Sequence, residues 1–227
     1  MDGTRSSAYW LARPGGFDAL NLAELGEPAG DYGIPALAPA ERVPTELAAW
    51  NVPRQRAHAA EHGGSVHFFL DDYRFESVWT SPARSLERVQ AVGSALSPDF
   101  SLWLGMPAAA GIWQTYRSRW LGAYWQRRGV DVIPSVTWSD ARSFRYCFDG
   151  LPVGGIVAVS TVGVRADVAE RRRYCAGIEQ LFSRVNPSTV LAYGGRPSWL
   201  AGELAGVETV DYPSYWDRRR REMKESG

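Results

Sequence analysis

The sequence predicts an α/β protein: a mainly parallel sheet of about six strands alternating with helices, small or incompletely closed like a (β/α) barrel, with an irregular Pro-rich N-terminal arm. Three observations carry this. From Val66 onward, short β-branched runs alternate with longer helical ones, the rhythm of a sheet whose strands are joined by crossover helices. No strand is followed by a glycine-rich phosphate loop, which favours the barrel-like arrangement over a nucleotide-binding open sheet. Before Val66, prolines 14, 28, 35, 39, 44 and 53 arrive with many glycines and almost no periodic run.

Taken in order, residues 1–65 form the arm. Phe17, Leu20, Leu22, Tyr32, Ile34 and Trp50 give it apolar anchors, so it is expected to pack on the domain rather than trail from it. The only regular piece read there is a short helical turn around Thr45 to Trp50. Residues 66–213 form the α/β domain. Strands are predicted at Val66–Leu70, Ser94–Ser97, Val130–Val136, Ile156–Ser160, Thr189–Tyr193 and Glu208–Asp211. Helices are predicted at Pro82–Ala91, Pro107–Arg128, Ala141–Phe148, Ala166–Val185 and Pro197–Leu204.

The helix from Pro107 is the clearest element. Proline suits a first turn because its missing N–H has no helical partner there. Ile112, Trp113, Tyr116, Trp120, Ala123 and Tyr124 recur at three and four residues and make one broad apolar stripe. Gly129 stops it. Pro134 cannot donate to a sheet ladder and so weakens the strand after the helix. Residues 214–227 form a basic C-terminal helix or tail containing Arg218 to Arg221.

Composition narrows the function. Lys+Arg and Asp+Glu are equal at 25 each, so no global field argues for a nucleic-acid or basic partner. Lys224 is the only lysine, a bias that reads as GC-rich coding rather than as function. Cys147 and Cys175 are the only cysteines, unpaired by any CxxC spacing and without a secretory leader, which predicts a reduced cytoplasmic setting. No apolar run approaches the roughly 20 residues of a membrane span. No motif speaks to oligomeric state.

A parallel sheet gathers its working residues at the carboxyl ends of its strands. Those ends supply Asp71, Asp72 and Tyr73, then Asp99, then Trp138 and Asp140, then Ser160 and Tyr193. Asp71, Asp72, Asp99 and Asp140 are the catalytic candidates. Converging carboxylates suit Mg²⁺ and phosphate chemistry, or the acid and base of a sugar hydrolase. The plainer alternative is that Asp99 and Asp140 cap the helices after them. Tyr73, Arg117, Arg119, Trp138, Ser160 and Tyr193 are the ligand-binding candidates: Tyr73, Ser160 and Tyr193 as strand tips, Trp138 as a loop tryptophan able to line a cleft, and Arg117 and Arg119 because guanidinium groups beside aromatic faces grip phosphates and stack bases. Against this, Trp113, Tyr116 and Trp120 are expected to pack on the sheet. His58 and His62 have the spacing of paired helical metal ligands, but no HExxH accompanies them, and Gly63-Gly64 ends the helix at once.

The phrases HFFLDDYRFESVW, LSPDFSLW, QTYRSRWLGAYWQ, VIPSVTWSD and VAVSTVGV, in this order, resemble the family known as domain of unknown function 4417 of bacteria, phages and mobile elements. The resemblance covers roughly Tyr32 to Tyr193. It implies a mobile-DNA context and no reaction. Residues and resemblance together give the expectation of a phage- or mobile-element-associated cytosolic protein that binds or acts on nucleic acid or a nucleotide. The alternatives are a carboxylate-dependent hydrolase of a sugar-like ligand and a non-catalytic interaction module.

Overall fold

Seven short parallel strands are arranged in space in the order in which they occur in the chain. The computed structural model describes residues 18–164 and 167–225, without the side chains of residues 221, 222, 224 and 225. A two-stranded antiparallel ribbon, β1 (Pro28–Ala29) and β2 (Ile34–Pro35), comes first. The four-stranded parallel sheet then runs β3 (Leu47–Ala49), β4 (Ser65–His67), β5 (Ser94–Leu96) and β6 (Asp131–Ile133). A three-stranded parallel sheet comes next, with β7 (Ile156–Ser160), β8 (Thr189–Tyr193) and β9 (Glu208–Tyr212).

The split between the sheets has a local cause. Pro134 has no N–H to give, so the ladder of β6 ends at Ile133 and only a single parallel bridge, Ser135 to Ala158, joins β6 to β7. Leu47, Leu96, Ile133, Ile156, Ala158, Leu191, Tyr193 and Tyr212 nevertheless share one apolar cluster, to which strands of both sheets contribute. The strands therefore curl round a common interior. No ladder pairs β9 with β3 among the described residues, so no closed barrel forms. The two ends are tied instead by the Tyr212 hydroxyl, which donates to the Pro44 carbonyl at 2.5 Å, and by Arg218, which donates to the Leu47 carbonyl at 3.5 Å.

The helices occupy the crossovers: α1 (Pro53–His62), α2 (Ser77–Thr80), α3 (Pro82–Gln90), α4 (Ala108–Gln126), α5 (Val168–Val185), α6 (Ser198–Ala201) and α7 (Tyr215–Glu225). Two sequence expectations are corrected by the fold. The stretch Thr45 to Trp50 holds a strand, β3, not a helical turn, because Leu47, Ala48 and Ala49 pair in parallel with Ser65, Val66 and His67. Ala141–Phe148 contains one 3-10 turn, Ser143–Arg145, rather than a helix. Both β3 and α1 lie within the stretch read as an arm.

Helix α4 is buried on nearly every side rather than along one stripe. Its inner face packs Trp120, Leu121, Tyr124 and Trp125 into the largest apolar cluster. The N-terminal segment covers the rest of the helix and reaches the edge of Trp120: Leu37 sits against Gly122, Trp120 donates to the Glu24 carbonyl at 2.6 Å, and Gln126 exchanges hydrogen bonds with Ala38 at 2.9 and 3.0 Å. Trp113 and Tyr116 stack on each other, and Trp79 meets Trp113 and Trp120 edge-on. These rings therefore contact the α2 region as well as the sheet side. Of the arm anchors, Ile34 and Trp50 are buried. Tyr32 is 43% exposed, touching Tyr146 by an edge. Phe17 lies outside the described residues.

Candidate functional site

The carboxyl ends of all seven strands open into one cleft of about 990 Å³. Ala49 comes from β3, Phe69 and Asp71 from the loop after β4, Asp99 from that after β5, Thr137 and Trp138 from that after β6, Ser160 and Tyr193 end β7 and β8, and Ser214 lies just beyond β9. Helix α5 adds Arg173 and Tyr174, and α7 adds Tyr215, Trp216, Arg218 and Arg219. Parallel strands project their βα loops to one end, which is why residues so distant in sequence share a wall.

Five of the sequence candidates line this cleft and five do not. Asp71, Asp99, Trp138, Ser160 and Tyr193 do; Asp72, Tyr73, Arg117, Arg119 and Asp140 lie behind or outside it. Asp71 is exposed and paired with Arg74 at 3.1 Å. Ser160 accepts from the Val162 amide at 3.2 Å and so shapes the loop after β7. Tyr193 stacks on His67 and Phe69, and its hydroxyl accepts from the Tyr215 amide at 3.2 Å, docking the start of α7 on the rim. Trp138 lies against Tyr174 with ring centres 5.0 Å apart. Gly177 permits this, since a Cβ there would fall 2.0 Å from the Trp138 indole.

The residues outside the cleft are engaged elsewhere. Asp72 accepts from the Ser101 amide at 3.2 Å and from its hydroxyl at 2.8 Å, pinning the loop after β5. Tyr73 is 74% exposed, with Arg74 over its ring. Arg117 pairs with Glu76 at 2.5 Å and lies 3.9 Å above the Phe100 ring centre. Asp140 accepts from the Arg142 amide and guanidinium, and that side-chain bond holds its carboxyl below the ordinary range. Arg119 is buried beneath the cleft and donates to the carbonyls of Ser135, Cys147 and Asp149 at 2.9, 3.1 and 3.3 Å.

The four carboxylates therefore do not assemble round a cation. Among the described residues, no three His, Cys, Asp or Glu side chains are placed to hold a metal ion. His58 and His62 stack at 4.0 Å, and His58 bonds Glu46 at 2.5 Å.

Asp99 is the chemically distinctive residue of the cleft. Its Oδ1 is sealed from solvent and has no hydrogen-bond partner within the protein. Burial, reinforced by the charge of Asp72 and partly offset by Arg119, pushes its carboxyl up to about 7. Tyr174 shares the condition: its hydroxyl is buried without a protein partner. Burial above all, then the neighbouring Asp99, pushes its ionisation upward. Sequence reasoning had no access to Tyr174, which sits between apolar and charged neighbours in the long helix α5. Arg173, Arg74 and Trp216 were likewise unmarked.

The fold and this cleft define an α/β protein whose strand tips form one polar and aromatic rim. The chain belongs to the family described as Domain of unknown function (DUF4417), whose model matches residues 27–213. It is 50% identical over 226 residues to the Gene 1 protein of Mycobacterium phage D29, across 100% of this chain and 83% of that protein. It is 49% identical over 227 residues to the Gene 1 protein of Mycobacterium phage L5, across 100% of this chain and 98% of that one. No helix among the described residues is long and apolar enough to cross a membrane.

Proposed function

We propose that the rim cleft binds a nucleotide-bearing ligand, as a free nucleotide or as part of a single strand. One observation carries this reading: the same cleft presents the guanidinium groups of Arg74, Arg173, Arg218 and Arg219 together with the rings of Trp103, Trp138, Tyr193 and Trp216. Trp103 and Trp216 are 56% and 60% exposed, so large apolar faces stand open to a ligand that stacks. Guanidinium groups match phosphate, and exposed indoles match any base. A phage setting for the relatives is consistent with such a ligand.

The test is a tryptophan-fluorescence titration with oligo(dT) and with a mononucleotide. Phosphate contacts make log affinity fall linearly with log salt between about 50 and 400 mM, with a slope set by the number of phosphates neutralised. The expected result is such a slope in the wild type, reduced by one to two contacts in Arg218→Ala/Arg219→Ala, again by roughly 0.7 per phosphate on a single strand. Binding that ignores salt and the double substitution refutes the reading. Turnover of a glycoside lost in Asp99→Asn would favour the sugar-hydrolase alternative, which the presence of Asp71 and Asp99 on the same cleft keeps concrete.

A further inference from the structure

We propose that Asp99 and Tyr174 form one subsite of the cleft, a hydrogen-bonding floor that receives the polar edge of a nucleobase, while the arginines of α5 and α7 hold the phosphate. The proposal rests on the nucleotide reading above for its ligand class and on separate geometry for its position.

The geometry is a coincidence that folding alone does not favour. Asp99 comes from the loop after β5, and Tyr174 comes from α5, between β7 and β8. They approach the same cleft from different elements, and each ends in a sealed polar atom with no partner in the protein. Buried polar atoms are nearly always satisfied, because leaving one unpaired costs more than an average hydrogen bond returns. Seven side-chain atoms among the described residues are in this condition, and only those of Asp99 and Tyr174 belong to residues that line the cleft, which marks it as a place where the partner comes from outside. The surroundings say what kind of partner. Trp138 packs against Tyr174, with Trp199 edge-on at 5.7 Å on the other side, so aromatic faces surround the Tyr174 ring, while Arg119 acts on Asp99 from beneath the cleft. A flat group carrying both a donor and an acceptor fits it. Asp99 accepts from, or donates to, one atom of that edge, and the Tyr174 hydroxyl takes the other. A phosphate fits poorly beside the carboxyl, and Arg173, Arg218 and Arg219 offer it better positions on the same cleft.

The experiment combines two readouts on wild type, Tyr174→Phe and Asp99→Asn. The first is binding of the four nucleoside 5′-monophosphates, with ribose 5-phosphate as the base-free control. The second is the melting temperature of the free protein. The subsite predicts that the monophosphates bind tighter than ribose 5-phosphate, and that Tyr174→Phe weakens them about 5-fold or more, the worth of one hydrogen bond. It also predicts that Tyr174→Phe melts at or above the wild-type temperature, since the lost hydroxyl had no partner to lose. Equal nucleotide binding by wild type and Tyr174→Phe overturns the subsite and leaves the nucleotide reading standing. If no nucleotide binds the wild type, that reading fails, and the melting data then judge the pair alone. A fall of more than about 3 °C in both variants makes the two groups structural and overturns the proposal. Unchanged or raised melting sustains a ligand-facing pair for another uncharged hydrogen-bonding edge.

Discussion

Replacing Asp99 by Asn should change how stability depends on pH, and the sign is fixed by the direction of its shift. In the unfolded chain this carboxyl ionises near 3.8, and in the folded protein only at about 7, because burial and Asp72 oppose its charge. Between those values the folded state holds a proton that the unfolded state has released. The stability gained from that proton is complete below about pH 4 and falls by 1.36 kcal/mol per pH unit until about pH 7, above which it is gone. The full interval of about 3 units sets a ceiling of about 4 kcal/mol. Asp99 as a whole is only half-buried, so water reduces that ceiling, and about 2 kcal/mol across the interval is the effect to look for. His67 complicates the raw curve. It is fully buried and held neutral, its pKa lowered to about 3 by burial and then by Arg218, so it produces a slope of opposite sign between about 3 and 6.5. The assay is therefore a difference: melting temperature of wild type minus that of Asp99→Asn, from about pH 4.5 to pH 8. The difference should fall by roughly 4 to 8 °C up to about pH 7 and then level off, given 2 to 4 °C per kcal/mol for a chain of this size. Parallel curves would show that the carboxyl is hydrated and ordinary, and the sealed floor of the cleft would go with it.

Other consequences are simpler to test. Arg119→Met should destabilise the protein by about 3 kcal/mol or more in urea unfolding, because the carbonyls of Ser135, Cys147 and Asp149 lose a shared donor and each buried orphan costs about 1 to 3 kcal/mol; a change within about 0.5 kcal/mol would contradict it. Gly177→Ala places a methyl group 2.0 Å from the Trp138 indole, so it should cost about 1 to 3 kcal/mol and shift the tryptophan emission of the cleft wall. An unaltered spectrum at unaltered stability would mean that the helix and the indole are not in contact. Ile34→Ala empties a fully buried position in the N-terminal segment and should cost about 2 to 5 kcal/mol. A neutral result would detach that segment from the core.

How much of this was legible in the sequence depended on whether a residue's role is set by its own neighbours in the chain or by distant ones. Helix α4 and strands β7 and β8 announce themselves, since a long run opened by Pro107 and closed by Gly129 and apolar, β-branched runs of five are local signals. Strand β3 does not, because three residues among prolines carry too little pattern, and only the parallel partner Ser65–His67 makes them a strand. The same distinction separates the site residues. Asp99 was legible as a strand tip, because the rule about carboxyl ends needs only the element order. The chemistry of Arg117 and Arg119 marks both as ligand groups, but both are buried. Arg117 is taken by the Glu76 and Gln114 side chains, and Arg119, with five donors, serves as a tie between backbone carbonyls rather than as a hook for phosphate. Tyr174 gave no signal at all. Its meaning comes from lining the same cleft as Asp99, and that is written only in the fold. It follows that in this protein the residues to vary first are not the charged ones that already have partners but Asp99 and Tyr174, the two cleft-lining residues with a buried polar atom that the fold leaves without a protein partner.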